Sequence, residues 1–357
     1  MDLKDLGFDK WFEPYRSKES AEPFEPARIT VVHRDSYILR DAGGEYPAEA
    51  AGKFLFSTES ELDMPAVGDW VDAAFFNQHS EAVIHRVYPR RTVLKRKSAG
   101  EKTQYQIIAA NIDTAMIMQS CSADFNLRRL ERYLVAIRDG GIRPVLLLSK
   151  SDLVGEEERD RLVEEVRAAE PGIPVFVFSN ITGSGREDIK NSLEPGKTFC
   201  LIGSSGVGKT TLLNFLVGED IFFTKAIREK DEKGRHATSR RQLVMLQGGA
   251  MIIDTPGMRE LGVIQTDEGI RASFPDIDAL AGECRFSDCT HVAEEGCAVL
   301  QAVEEGMLDG GRYRSFLKLR RESAFNEMTY LERRRRDKAF GRMVKDVMTH
   351  RKKQRGD

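Results

Sequence analysis

Between residues 105 and 265 the chain alternates short apolar runs with longer stretches in which apolar positions recur every three or four residues. "TAMIMQS" (114–120) reads as a strand, and "LRRLERYLVAIRDGG" (127–141) as a helix closed by glycines. The alternation repeats through strand "RPVLLLSKSD", helix "EEERDRLVEEVRAAEPG", strand "IPVFVFSN", a further helix, strand "KTFCLIG" and helix "KTTLLNFLVG". "RQLVMLQGGAMIIDTPG" then reads as two strands joined by a Gly-Gly hairpin. Such alternation predicts an α/β sheet with helices on both faces.

The pattern differs on either side of this region. From about 26 to 95, the runs "RITVVHRDSYILR", "GKFLF", "GDWVDAAFF" and "EAVIHRVYP" are short and β-rich, broken by Gly, Pro and polar clusters. Strands at that spacing predict a small OB-like barrel, with the basic segment "VYPRRTVLKRK" at its exit. From about 270 onward the chain reads as helical, with a cysteine-rich knot at 284–297. The predicted fold is multi-domain α/β. It comprises an N-terminal OB-like RNA-binding barrel (1–100), an α/β domain (101–265) and a zinc-binding, basic helical domain (266–357).

Composition narrows the setting. At 41% hydrophobic and 31% charged residues, the chain resembles an ordinary globular protein. No stretch approaches the roughly 18 consecutive apolar residues of a spanning helix, so no membrane partner is expected. The start lacks a signal-peptide layout, and five cysteines, three clustered late, do not make an even secreted framework. A cytoplasmic monomer is expected. Net charge is −3, yet from Leu331 to Asp357 eleven Lys/Arg face four Asp/Glu, a local balance of +7. Such a tail is an electrostatic footprint for nucleic acid, and Arg333–Arg336 and Arg351–Arg355 are its candidate phosphate contacts.

Inside the alternating region, Gly203-Ser204-Ser205-Gly206-Val207-Gly208-Lys209-Thr210 fits G-x-x-x-x-G-K-[ST], with a predicted strand before it and a helix after. Glycines let backbone N–H groups converge on phosphate oxygens, because side chains would obstruct that approach. Lys209 would bridge the β and γ oxygens and the Thr210 hydroxyl would bind Mg²⁺, with Thr211 counted in the same cradle. Asp254, in "IIDTPG", ends an apolar strand where a carboxylate reaches Mg²⁺ through water, and the Gly257 amide is available to the γ-phosphate. The charged stretch "REKDEKGRHATSRR" (228–241) reads as a mobile switch, with Thr238 closing over Mg²⁺.

A base reader precedes the cradle. Ser149-Lys150-Ser151-Asp152 follows a strand, and the Asp152 carboxylate can accept hydrogen bonds from the ring N–H and exocyclic amine of guanine. Adenine offers neither donor and would leave that carboxylate unpaired, so GTP is expected over ATP. Lys150 would lie along the base, and the Ser179-Asn180 backbone, after the next strand, could contact its O6. Base reader before cradle reverses the usual order. Both loops fall at the carboxyl edge of one sheet, so the site survives circular permutation. Further on, Cys284, Cys289, His291 and Cys297 supply three thiolates and an imidazole within fourteen residues, a closed tetrahedral Zn²⁺ set with a structural role.

The barrel, base reader, cradle, switch, "DTPG" and Cys/His knot, in this order, resemble the ribosome small subunit-dependent GTPase A family across roughly residues 27–330. The resemblance implies an OB-fold, a circularly permuted GTPase domain and a zinc domain. It also implies a role in late maturation of the small ribosomal subunit and its rRNA, with hydrolysis of GTP to GDP stimulated by that subunit. Two positions depart from the family pattern. Ser149 stands where Asn or Thr is usual, which predicts a weaker brace on the cradle, and "HATS" leaves Thr238 as the switch's only threonine. Met258 follows "DTPG" and cannot orient water, so unaided hydrolysis should be on the order of 10⁻⁴–10⁻³ s⁻¹. The resemblance supports His236, in the switch, as the catalytic substitute. Two competing classes are a P-loop kinase and an RNA-binding module that holds GTP as a structural ligand.

Overall fold

The computed structural model describes residues 1–16, 24–33, 36–97, 105–122, 124–219, 241–254 and 267–327. Strands β1 (Glu25–Val32), β2 (Tyr37–Arg40) and β3 (Glu45–Ala50), helix α1 (Gly52–Ser57), and strands β4 (Trp70–Phe76) and β5 (Glu81–Val87) form the N-terminal part. Pairings run β1–β2–β3–β5–β4 and return to β1, which closes a five-stranded barrel. Ile29, Leu39, Val71, Ala73 and Ile84 fill it, all fully buried. "GKFLF" forms α1 rather than the expected strand. The reason is topological: β3 pairs with β5 in parallel, so the chain between them must cross over, and α1 lies in that crossover.

The first residues pack onto this barrel. Leu6, Phe8 and Phe12 bury against Trp70 and Tyr88, and the Phe8 and Trp70 rings meet edge-to-face at 4.8 Å. Beneath them lies Arg28 on β1, 1% exposed. Its guanidinium donates to the Leu6 carbonyl at 2.5 Å, the Asn111 carbonyl at 3.1 Å and Thr198 Oγ1 at 2.8 Å. One cation therefore ties the N-terminal segment, the barrel and the next layer together. Burial pulls its pKa down to about 10, which leaves it charged at neutral pH.

A hairpin, β6 (Val93–Lys97) with β7 (Tyr105–Ala110), leads into the α/β part. There follow β8 (Thr114–Ser120), α2 (Leu127–Asp139), β9 (Arg143–Ser149), α3 (Glu156–Ala169), β10 (Val175–Val177), α4 (Arg186–Asn191), β11 (Thr198–Gly203), α5 (Lys209–Val217), β12 (Arg241–Met245) and β13 (Met251–Asp254). The order β10-β9-β8-β11-β13 is parallel throughout, and β12 adds on antiparallel through the predicted Gly-Gly turn. Two apolar layers, one on each face, bury the sheet as the strand–helix alternation predicts. β1 continues this sheet by pairing with β12 at Val31↔Gln242. Met1–Lys97 and Tyr105–Val263 accordingly form one compact unit, where the texture of the sequence divided barrel from α/β region near residue 100.

The second unit comprises Ser98–Gln104 and Ile264–Asp357. Its described helices are α6 (Asp267–Ser273), α7 (Pro275–Ala281), α8 (Ala298–Glu304) and α9 (Gly310–Glu327). Arg312 clamps α7 through two bonds to Asp276, at 2.7 and 2.9 Å, with its guanidinium over the Phe274 ring. Among the described residues no helix is long and apolar enough to cross a membrane.

Candidate functional site

In a parallel sheet, ligands gather at the carboxyl ends of the strands where the winding reverses. That reversal falls between β8 and β11, because the chain runs β8, β9, β10 outward and then returns to β11 beside β8. The 204–208 loop leaves β11 at this point and enters α5. Its glycines are required by geometry. Gly206 (φ +78°) and Gly208 (φ +101°) take left-handed backbone, and a Cβ on Gly203 would lie 2.4 Å from the Met118 carbonyl. Nothing lies within 4 Å of the Cβ position of Gly206, so at that residue the left-handed backbone alone calls for glycine. Lys209 folds across the loop and donates to the carbonyls of Gly203 and Ser204 at 2.6 and 2.7 Å.

The residues expected to read the base arrive at the same edge from β9 and β10. Ser149, fully buried at the end of β9, donates its hydroxyl to the Val207 carbonyl at 2.8 Å, with the Gln119 carbonyl at 3.2 Å. The expected weak point is thus bonded to the cradle across 58 residues of chain. Lys150 follows in left-handed backbone (φ +60°), which turns the chain into the short helical turn Ser151–Leu153 that carries Asp152. Ser179 donates its hydroxyl to one oxygen of Asp152 while accepting the amides of Ile181 and Thr182. The carboxylate is held at one oxygen by this bond, which steers its remaining lone pairs. Asn180 reaches from the same loop to the Gly208 carbonyl at 3.0 Å.

Thr210 and Thr211 lie in the first turn of α5, and Asp254 ends β13, one residue beyond the Cys200↔Ile253 pair with β11. A hydroxyl and a carboxylate offer hard oxygen ligands of the kind Mg²⁺ takes. Gly257, His236 and Thr238 lie outside the described residues, as do Arg333–Arg336 and Arg351–Arg355. The sequence reading missed Tyr133. It sits on the buried face of α2 with its hydroxyl near Ser204 of the cradle, and burial raises its pKa. Helical periodicity marks Tyr133 as a core position and carries no signal of what its hydroxyl meets.

In the second unit, Cys284, Cys289, His291 and Cys297 converge, with ligand atoms all within 4.8 Å of one another. A tetrahedral centre with metal–sulfur bonds of about 2.3 Å needs sulfurs about 3.8 Å apart and sulfur to nitrogen about 3.6 Å. Cys284 and Cys297 sulfurs are 3.9 Å apart, and His291 Nδ1 lies 3.6 and 3.5 Å from them. These four side chains could hold a metal ion. His291 adopts left-handed backbone (φ +61°), and Tyr313 donates its hydroxyl to the His291 carbonyl at 2.7 Å. Burial lowers the imidazole's pKa and so favours the neutral, ligating form.

Residues 87–264 match the family described as RsgA GTPase. The small ribosomal subunit biogenesis GTPase RsgA 2 of Vibrio parahaemolyticus is 37% identical over 351 residues, covering 98% of this chain and 94% of that protein. The small ribosomal subunit biogenesis GTPase RsgA of Opitutus terrae is 41% identical, covering 91% and 90%. Among solved structures, YjeQ from Thermotoga maritima aligns with a TM-score of 0.63 at 25% identity, over 85% of this chain and 99% of that one. YloQ, described as a circularly permuted GTPase, shares the fold with a TM-score of 0.60 at 22% identity, over 88% and 100%.

Proposed function

The chain belongs to the RsgA GTPase family, and on that premise we propose that it binds the small ribosomal subunit with GTP, hydrolyses GTP faster there, and leaves in the GDP state. It is a circularly permuted GTPase that hydrolyses GTP, of the kind that serves small ribosomal subunit biogenesis. The observation that supports the nucleotide site in this reading is the bond from Ser149 to the Val207 carbonyl, which ties the end of β9, just before Asp152, to the 203–208 loop.

In this reading, amides of Ser204, Ser205, Gly206, Val207 and Gly208 surround the phosphates and Lys209 swings from the Gly203 and Ser204 carbonyls onto them. Asp152 takes the two guanine donors, Lys150 covers the base, and the backbone at Ser179-Asn180 meets its O6. Thr210, Thr238 and Asp254 hold Mg²⁺, which neutralises charge that develops on the phosphate oxygens. Gly257 contacts the γ-phosphate. His236 is the proposed catalytic group, positioned when the subunit orders the switch. Cys284, Cys289, His291 and Cys297 hold one Zn²⁺ as a closed structural centre. The barrel and the basic C-terminal segment meet rRNA, so subunit affinity falls steeply with salt.

GTP turnover with and without purified small subunits tests the reading. Stimulation by orders of magnitude is expected, and an unchanged rate refutes it. His236→Ala should keep nucleotide affinity while losing most of the stimulated rate. A normal stimulated rate in that variant removes His236 from catalysis.

A further inference from the structure

Two consecutive peptide groups at the end of the cradle are held from outside by side chains on two different loops. Ser149 Oγ donates to the Val207 carbonyl, and Asn180 Nδ2 to the Gly208 carbonyl. In a planar trans peptide the N–H points opposite the C=O. Fixing these carbonyls outward therefore aims the amides of Gly208 and Lys209 the other way, towards the hollow of the 203–208 loop. Ser149 cannot brace both groups. A hydroxyl has one proton, and the Gln119 carbonyl at 3.2 Å competes for it.

Gly208 is matched to the amide that reaches it. Its carbonyl already accepts the Leu212 N–H at 3.0 Å, so Asn180 takes the remaining lone pair. A Cβ at Gly208 would lie 2.6 Å from Asn180 Nδ2, so glycine at this position makes room for the bond as well as for the left-handed turn. At the other end of the amide, Oδ1 is buried and meets no donor among the described residues. A buried acceptor left without a partner costs stability.

We infer that Asn180 is a positioning residue of the phosphate cradle. Its side-chain amide locks the Gly208 carbonyl and preorganises the Gly208–Lys209 turn for phosphate, a role separate from any backbone contact with the base. The inference rests on the reading of 203–210 as the phosphate site. Loss of the brace weakens ligands in proportion to their phosphates and leaves the nucleoside end untouched.

The test compares GDP with guanosine, the latter by competition against a fluorescent GDP. Asn180→Ala and the similarly sized Asn180→Leu should each bind GDP about tenfold more weakly, the range expected for loss of one buried hydrogen bond. Guanosine should stay within about twofold of wild type, which also reports that the variants are folded. GDP affinity kept by Asn180→Leu makes the role one of packing and overturns the brace. Equal losses for GDP and guanosine put the side chain on the base and overturn it too. Lys209→Ala separates this failure from that of the underlying reading. Retained GDP affinity in Lys209→Ala sinks the phosphate site itself, whereas its loss beside an unaffected Asn180→Ala sinks only the brace.

Discussion

The cradle and the Cys/His centre each rest on a handful of residues, but their shapes come from opposite sources. The cradle is backbone, suspended from the edge of a sheet buried on both faces and pinned by Ser149 and Asn180 from two separate elements. The Cys/His cluster, a candidate metal centre, is four side chains among helices such as α7 and α8, of seven residues each. Helices this short fall well below the roughly 12–15 residues needed for stability in isolation. Shape is distributed in the first case, so losing one contact should loosen it. In the second it is concentrated, so losing one ligand should abolish it.

The sharpest test of this contrast is metal removal. Chelation, or Cys297→Ser, should cost the second unit its ordered structure, because binding of a structural Zn²⁺ is worth on the order of 10 kcal/mol. GDP affinity should stay within about twofold of wild type, since no cradle residue is touched. Circular dichroism and fluorescent-GDP titration on the same sample would check both halves. A cradle that failed with the metal would break the comparison.

Next in size is Asp152→Asn. Exchanging a carboxylate for an amide replaces one acceptor by a donor, so GTP affinity should fall about 100-fold or more. Xanthosine triphosphate, with a carbonyl in place of the exocyclic amine, should gain over GTP in competition. Equal losses for both would remove Asp152 from base reading.

Arg28→Met should destabilise the first unit by about 3 kcal/mol in denaturant titration. It strands the Leu6 and Asn111 carbonyls and Thr198 together inside the fold. The smallest effect is expected at Asp41. Burial raises its pKa, but the His79 bond at 3.0 Å and the amides of Gly43 and Gly44 outweigh it, and the carboxyl sits below its ordinary 3.8. A depressed folded-state pKa contributes stability above the ordinary value, which is lost as pH falls through the folded value. Wild type should therefore lose more stability than Asp41→Asn as pH is lowered below about 4, measured as the shift in Tm.

Local pattern carried much of this. The alternation from Thr114 to Asp254 marked the strands and helices because burying a sheet on both faces forces unbroken apolar runs. The cradle was legible because positive φ demands glycine at 206 and 208. The Cys/His set was legible because few arrangements put three thiols and an imidazole so close by accident. "GKFLF" misled because a run of five residues has too little period to separate strand from helix, and the crossover from β3 to β5 decided the matter. Leu6, Phe8 and Phe12 gave no sign of their partners, since Trp70 and Tyr88 lie more than fifty residues away.

What the sequence determined by itself is therefore the inventory: which segments pair or coil, which residue types can cradle phosphate, read guanine or ligate a metal, and in what order they come. Tertiary structure alone decided who meets whom. It joined β1 to β12 so that barrel and α/β part share one sheet, and placed Arg28 at their junction. It also brought Ser149 and Asn180 onto the cradle. The physical reason is range. Periodicity, glycine conformation and ligand chemistry act within a few residues and leave their mark locally. A hydrogen bond across 58 residues exists only once the sheet has closed the distance.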